Sequence, residues 1–353
     1  MKSTPSHRLR IIDANINRIG EGLRVLEEFA RLALNDAALT GQLKDMRHTI
    51  LHIDAELQRR LISARDAARD VGAGMTATGD EKRRDASETI VANARRVQES
   101  LRVLEEIAKE PAAGLESGVY EKARFELYSI EKELLSKMLR KDKIKRLTGL
   151  YVIVDVESLN GRSPLEAAGA AIKGGAKVIQ LRDKKDSRRV FYNIAEELNR
   201  FCTAYNALFI VNDSLEVALA VDADGLNIGQ EDMPVAEARR LLPIDKLLGA
   251  SASTVEEAKA AQATGADYLG VGAIYITGTK YDVEVVGPGR IKEIKKAVNL
   301  PVVAIGGINK NNISDVMKAG ADAAAVISAV MGAEDIEKAT RQLVEIIEGG
   351  KRG

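Results

Sequence analysis

Gln180, Arg182 and Lys184 occupy every second position of Gln-Leu-Arg-Asp-Lys. In an extended segment that spacing puts all three on one face and Leu181 on the other. Two cations on an inward face demand an anion, because unpaired inward charge is costly. Asn212-Asp213, Gly229-Gln-Glu-Asp232, Ser251 and Thr277-Gly-Thr279-Lys280 follow downstream, and then Gly306-Gly307 and Ile327-Ser328-Ala329. Arg182, Lys184 and Lys280 together with Asp213 and Asp232 suit Mg2+ and a diphosphate. Mg2+ commonly takes one or two carboxylates and fills its other positions with phosphate oxygen and water. Thr277, Thr279, Gly307, Ile327 and Ser328 offer hydroxyls and backbone N–H groups, which suit a monophosphate. Taken singly, each motif has a bland reading. Asn-Asp at a strand end is commonly a turn, Gly-Gly a close helix approach, and Gln-x-Arg-x-Lys a solvated edge strand.

What separates the two readings is where the motifs fall. Short β-branched runs recur eight times, at 150–155, 178–182, 208–212, 225–228, 247–251, 268–274, 302–306 and 324–328, each followed by an amphipathic segment rich in Ala, Glu and Lys. Eight strand–helix units in about 200 residues predict an α/β fold, a small (β/α)8 TIM barrel over 148–349. An open doubly wound sheet fits less well, because no Gly-rich dinucleotide loop follows the first strand. All the motifs lie at strand C-termini, the rim where barrels carry their chemistry.

The first 140 residues read differently. Residues 14–30 and 92–108 are identical at eleven of seventeen positions at an offset of 78, and Arg47, Ile53, Glu56 and Leu57 align with Arg124, Ile130, Glu133 and Leu134 at an offset of 77. Such a period indicates tandem copies of one supersecondary unit. Apolar residues at helical spacing (Ile16, Ile19, Leu23, Leu26) make each copy a helical hairpin, and the pair a four-helix, all-α bundle. The repeated Arg24/Glu27 and Arg102/Glu105 pairs read as bundle ion pairs. The Gly- and Thr-rich stretch 69–80 lacks the Lys-Ser/Thr ending of a P-loop and reads as a connection. His48 and His52 share a helix face without an acidic or Cys partner at ligand spacing. The charged run 141–147 reads as a solvated linker.

The 353 residues carry 52 basic and 52 acidic side chains. That balance argues against nucleic-acid binding, which favours a basic excess. Cys202 is the only cysteine, so no internal disulfide is expected, and its apolar neighbourhood predicts a buried helical position. No apolar run reaches the roughly 18 residues of a membrane span, and Met-Lys-Ser-Thr-Pro-Ser-His does not read as a signal peptide. The expectation is a cytoplasmic protein acting on small molecules without membrane or nucleic-acid partners. Homo-oligomer formation is compatible with this reading.

Residues 148–348 resemble the thiamine-phosphate synthase family, through QLRDK (180–184), ND (212–213), GQED (229–232), Ser251, TGTK (277–280), AIGGI (304–308) and IS (327–328). The resemblance implies that Gln180, Arg182, Lys184, Asn212, Ser251 and Lys280 bind an aminopyrimidine diphosphate, with Lys184, Arg182, Lys280 and Ser251 as the catalytic set. Asp213 and Asp232 would hold Mg2+, the implied cofactor. Thr277, Thr279, Gly307, Ile327 and Ser328 would bind a thiazole phosphate. The implied reaction breaks the pyrimidine-methyl C–O bond first, and the thiazole nitrogen then captures the carbocation. One departure is Asn227, where family members often carry His. The segment 13–31 resembles a helical extension fused to this synthase in some bacteria and linked to pyrimidine-phosphate handling.

Three rivals are set aside or left open. A thiazole tautomerase would want a histidine acid/base, and none follows His52. A regulatory barrel relative would be expected to lack Asp213, Asp232 or Lys184, which are all present. A bifunctional protein whose helical domain acts on a pyrimidine phosphate stays open.

Overall fold

The computed structural model describes residues 6–66, 85–110, 113–278 and 284–350. The stretch 69–80 and two of the expected site residues, Thr279 and Lys280, lie outside the described residues. The chain divides into two compact units, Met1–Leu139 and Arg140–Gly353.

The first unit is helical: α1 Ser6–Glu28, α2 Ala37–Leu51, α3 Ala55–Ser63, α4 Ala86–Ala108 and the start of α5 Ser117–Lys145. Asp36, Asp54 and Asp85 cap α2, α3 and α4 by accepting from the backbone N–H of Leu39, Leu57 and Glu88, which satisfies N–H groups that a helix start leaves unpaired. Ile12, Ile19, Leu23 and Leu26 of α1 pack with Ile90, Val97, Leu101 and Leu104 of α4 in one buried cluster. The duplication is not copied element for element. In the first copy the second arm breaks into α2 and α3 at His52 and Asp54, which are extended. The aligned Ser129–Glu131 continue a single helix. The described residues thus form five helices where four were expected.

The arginine–glutamate pairs are structural, and each gains a third member. Glu27 is buried and pairs with Arg24 and with Arg47, at 3.3 and 3.0 Å. Its repeat, Glu105, pairs in the same way with Arg102 and, at 3.1 Å, with Arg124.

In the second unit eight parallel strands close into a barrel in sequence order: β1 Gly149–Asp155, β2 Val178–Arg182, β3 Leu208–Asn212, β4 Gly225–Ile228, β5 Leu247–Ala252, β6 Tyr268–Val271, β7 Val302–Ile305 and β8 Ala323–Val326. Val152, Val154, Ile179, Leu181, Phe209 and Val211 face outward, in one cluster with residues of the surrounding helices. Tyr151, Ile153, Val178, Leu208, Ile210, Leu247, Tyr268 and Val303 fill the interior. Cys202 is fully buried in the helix Arg188–Ala204, and burial pushes its thiol up to about 12.

The expected solvated linker, 141–147, is helical to Lys145, where α5 ends, and both it and the Arg140 that precedes it are anchored. Arg140 is buried, 2.8 Å from Asp267, and donates to the Ile244 carbonyl at 2.7 Å. Asp267 also accepts from Arg239 and from the Leu248 N–H. Lys143 pairs with Asp224, Arg146 donates to the Asn206 carbonyl, and Leu147 and Ile144 join the barrel-interior cluster. These partners all precede a strand, so the charged run closes the barrel's N-terminal end. Its high charge hid two apolar residues and a set of specific ion pairs. Removing the carboxylate from such a buried pair leaves two guanidinium groups uncompensated. Asp267→Ala should therefore cost about 3–5 kcal/mol of unfolding free energy in chemical denaturation of the full chain. Asp142→Ala, at an exposed position of the same run, should stay within about 0.5 kcal/mol.

Candidate functional site at the barrel mouth

The period of two along each strand decides what faces the interior. On β1 the inward set is Tyr151, Ile153 and Asp155; on β2 it is Val178, Gln180 and Arg182; on β3 it is Leu208, Ile210 and Asn212. The ladder pairs Ile153 with Gln180, Asp155 with Arg182 and Asn212 with Asn227. On β5 the same parity brings Ser251 inward above Leu247. Gln180 is 4% exposed, directly above the apolar interior layer. That layer is closed at its centre by Tyr151 and Tyr268, whose hydroxyls lie 3.3 Å apart.

Charge concentrates above this layer. Lys184 forms an ion pair with Asp213. Asp213 directly follows β3 with φ of +61°, a left-handed conformation that Asp tolerates better than most residues. Its N–H donates to the Asn227 carbonyl at 2.8 Å. The carboxyl of Asp232 is near enough to act on that of Asp213 and accepts from the Gly229 N–H at 2.7 Å. Burial pushes the Asp213 carboxyl above its ordinary value, and Asp232 adds to the rise while Lys184 opposes it. Two carboxylates this close repel when both are ionised, and a cation between them relieves the repulsion. Among the described residues no group of three or more His, Cys, Asp or Glu side chains gathers into a metal cage. Two adjacent carboxylates fit a hard ion that completes its shell with water and phosphate oxygen.

Arg182 is held from the side by a residue that the sequence reading missed. Asp155 is 1% exposed and accepts from Arg182 Nη1 at 2.6 Å and from Ser158 Oγ at 2.5 Å. The parity of β1 was the available signal, since Asp155 follows Tyr151 and Ile153 by twos. Asp183 takes a different part: its Oδ1 accepts from the N–H groups of Lys185 and Asp186, both at 3.0 Å, and so folds the turn that carries Lys184. The Ser251 carbonyl accepts from the Gln230 amide.

The second half of the rim is built from backbone. Gly306 and Gly307 have φ of +100° and +63°. A Cβ on Gly306 would lie 2.7 Å from Ala273 Cα, and one on Gly307 would lie 2.4 Å from the Ile276 carbonyl oxygen. Only glycine permits this approach. The segment after β6 therefore lies along the end of β7, with Ile274 and Tyr275 donating to the carbonyls of Ile305 and Gly306. This brings Thr277 next to the Gly307 turn. Asn309 and Asn312, also missed, both donate side-chain amides to the Gly307 carbonyl, at 3.2 and 3.0 Å. Ile305 pairs with Ala325 across the β7–β8 ladder, so Ile327 and Ser328 stand at the height of Gly307. Ser328 opens a short helix, Ser328–Met331, whose first N–H groups have no intrahelical acceptor.

Within the helical unit, a cavity of about 360 Å3 is lined by Arg95, Gln98, Glu99, Arg102, Arg124 and Tyr128. At the corresponding positions of the first copy Gly20 stands in place of Gln98 and Leu51 in place of Tyr128, and the Leu51 methyl lies 3.1 Å from where a Gly20 Cβ would be.

Comparison with known proteins follows these two parts. The Thiamine monophosphate synthase family profile matches residues 150–330, and the ThiD2 family profile matches residues 10–133. A thiamine-phosphate synthase of Nostoc sp. is 39% identical over 337 residues, covering 95% of this chain and 93% of its own length. One from Synechococcus sp. strain CC9311 is 40% identical and covers 96% of each chain. A solved thiamine phosphate pyrophosphorylase from Pyrococcus furiosus is 45% identical with a TM-score of 0.55, and the match spans 58% of this chain and 98% of that one. No described helix is long and apolar enough to cross a membrane. With relatives of that name matched over nearly their whole length, and with a closed (β/α)8 barrel whose described motifs lie at its rim, the chain belongs to the thiamine-phosphate synthase family of enzymes.

Proposed function

We propose that this enzyme joins 4-amino-2-methyl-5-(diphosphooxymethyl)pyrimidine to a thiazole phosphate and releases pyrophosphate. The observation that carries the reading is the convergence of Lys184, Asp213 and Asp232 at one edge of the mouth, with Arg182 beside them. In the reaction the C–O bond between the pyrimidine methylene and the diphosphate breaks, and its electron pair leaves with the oxygen. The thiazole nitrogen lone pair then forms the C–N bond. No side-chain nucleophile is required. Arg182 and Lys184, with Lys280, meet the charge that builds on the leaving group. Asp213 and Asp232 would hold Mg2+, which would supply further neutralisation of that leaving group. Gln180, Asn212 and Ser251 face the interior and would receive the aminopyrimidine. The buried layer of Tyr151, Ile153 and Tyr268 would form the floor beneath them. The thiazole phosphate would rest on Gly307, Ile327 and Ser328, with Thr277 and Thr279 as further donors.

A second reading concerns the helical unit and rests on the cavity in its second copy. The Arg–Glu–Arg triads occur in both copies, so bundle stability accounts for them. It does not account for the opening in the second copy, where Arg95 replaces Asn17 and Tyr128 replaces Leu51. Arg95, beside Arg102 and Arg124 that Glu105 already pairs, suits an anion, and the volume suits a small ring bearing a phosphate. In this reading the unit acts on a pyrimidine phosphate.

Asp213→Ala should abolish thiamine phosphate formation from both precursors with Mg2+ while the unfolding transition is kept; retained turnover would remove the metal assignment. A stability measurement tests the same pair without catalysis. A carboxyl whose folded pKa is raised contributes stability below its ordinary value and loses it as pH rises through the raised value. Asp213→Asn should thus unfold at a higher temperature than the parent at pH 7 without divalent ions, by a margin that shrinks as the pH falls toward about 4. Mg2+ with pyrophosphate should raise the parent's transition and leave the variant's nearly unmoved. For the helical unit, the full chain with ATP and the pyrimidine monophosphate should yield the diphosphate. Arg95→Glu should lose that product and keep synthase turnover on supplied diphosphate. Absence of the product in the parent would retire the second reading.

A further inference from the structure

We propose that Asp155 is a positioning residue for Arg182, orienting its guanidinium for the leaving diphosphate; the inference rests on the reading of the barrel mouth given above. The pair joins adjacent positions of two strands in the closed ladder, Asp155 on β1 and Arg182 on β2. Both anchors are therefore set by the barrel rather than by a loop. Asp155 is 1% exposed, and a carboxylate so buried requires partners for both oxygens. Oδ1 takes Arg182 Nη1 at 2.6 Å, and Oδ2 takes Ser158 Oγ at 2.5 Å. Ser158 belongs to the single helical turn Val156–Leu159, which buried Leu159 pins to the barrel's outer core. The carboxylate thus has one orientation, and it fixes one corner of the guanidinium plane.

The other donors of Arg182 are not consumed. A guanidinium presents five N–H groups in a rigid fork. Among the described residues Asp155 alone bonds to Arg182, through Nη1, which leaves Nε and Nη2 available. The side chain keeps 19% exposure at the mouth. A purely structural ion pair gains most from a bidentate match that uses both edges of the fork. Here one corner is tied and the remainder is left for an oxyanion, the arrangement expected of a donor that must not reorganise when charge develops. An untethered arginine would lose rotamer freedom at that moment, and misplacement by about 1 Å can cost on the order of a hundredfold in rate.

The test uses the full chain with both phosphorylated substrates and Mg2+. Asp155→Ala should lower kcat by about 10- to 100-fold with the KM for the thiazole phosphate unchanged. Asp155→Asn, which keeps an acceptor oxygen for Nη1, should recover most of the loss. The double variant Asp155→Ala/Arg182→Ala should be no slower than Arg182→Ala alone, since a residue acting only through Arg182 has nothing left to position. A double variant slowed by the product of the two single losses, or parental kcat in Asp155→Ala, would overturn the inference while leaving the site reading intact. Parental activity in Arg182→Ala would instead strike the site reading itself. Should Asp155→Ala not fold, Ser158→Ala frees the same carboxylate, and its smaller loss should likewise vanish in the Arg182→Ala background; persistence of that loss would count against the proposal.

Discussion

The structure depends on one electrostatic arrangement: like charges brought together where a closed sheet ends. Parallel strands in a barrel point their last inward residues at a single rim, and the ladder fixes their spacing. Asp213 and Asp232 are near enough for Asp232 to raise the Asp213 carboxyl, an arrangement that is unfavourable when both are ionised. The fold maintains the contact with backbone donors, the Gly229 N–H to Asp232 and a left-handed turn at Asp213. Lys184 relieves part of the repulsion. This is the state expected of a site that gains most when a divalent cation and its anionic ligand arrive together.

The opposite side of the rim, among the described residues, is built largely from backbone and hydroxyl groups. At Gly306 and Gly307 the chain takes conformations closed to other residues, and the amides of Asn309 and Asn312 hold the Gly307 carbonyl. Donors there come from peptide groups and hydroxyls. In the proposed reaction this division would follow from the charges involved: a diphosphate would call for metal and lysine or arginine, and a monophosphate for oriented N–H groups.

Much of this was legible before any coordinates, because a period of two carries both burial and direction. The eight strands fall where β-branched runs predicted them, within a few residues at each end. Two kinds of information were hidden. Asp155 sits in no motif, and its importance appears only when the register sets it against Arg182. The run after Leu139 looked solvated because charge dominates its composition, yet each of Arg140, Lys143 and Arg146 meets a particular acceptor at the start of a strand. Composition reports how many charges a segment has; only tertiary contacts report which are spent.

The helical duplication gives an internal comparison of the same kind. Two copies of one sequence share the Glu27 and Glu105 triads, and so those triads belong to what any such bundle needs. Differences between the copies are freed from that requirement. In the first copy Leu51 packs over Gly20. In the second, Gln98 turns to Glu131 at 2.5 Å and the Tyr128 hydroxyl to Arg124 at 3.2 Å, and the space between them opens beside Arg95. Arg102 and Arg124 are already matched by Glu105, so Arg95, which stands where the first copy has Asn17, is the charge that stability of the bundle leaves over, and in the proposed reading of this unit it is the group that an anion would meet.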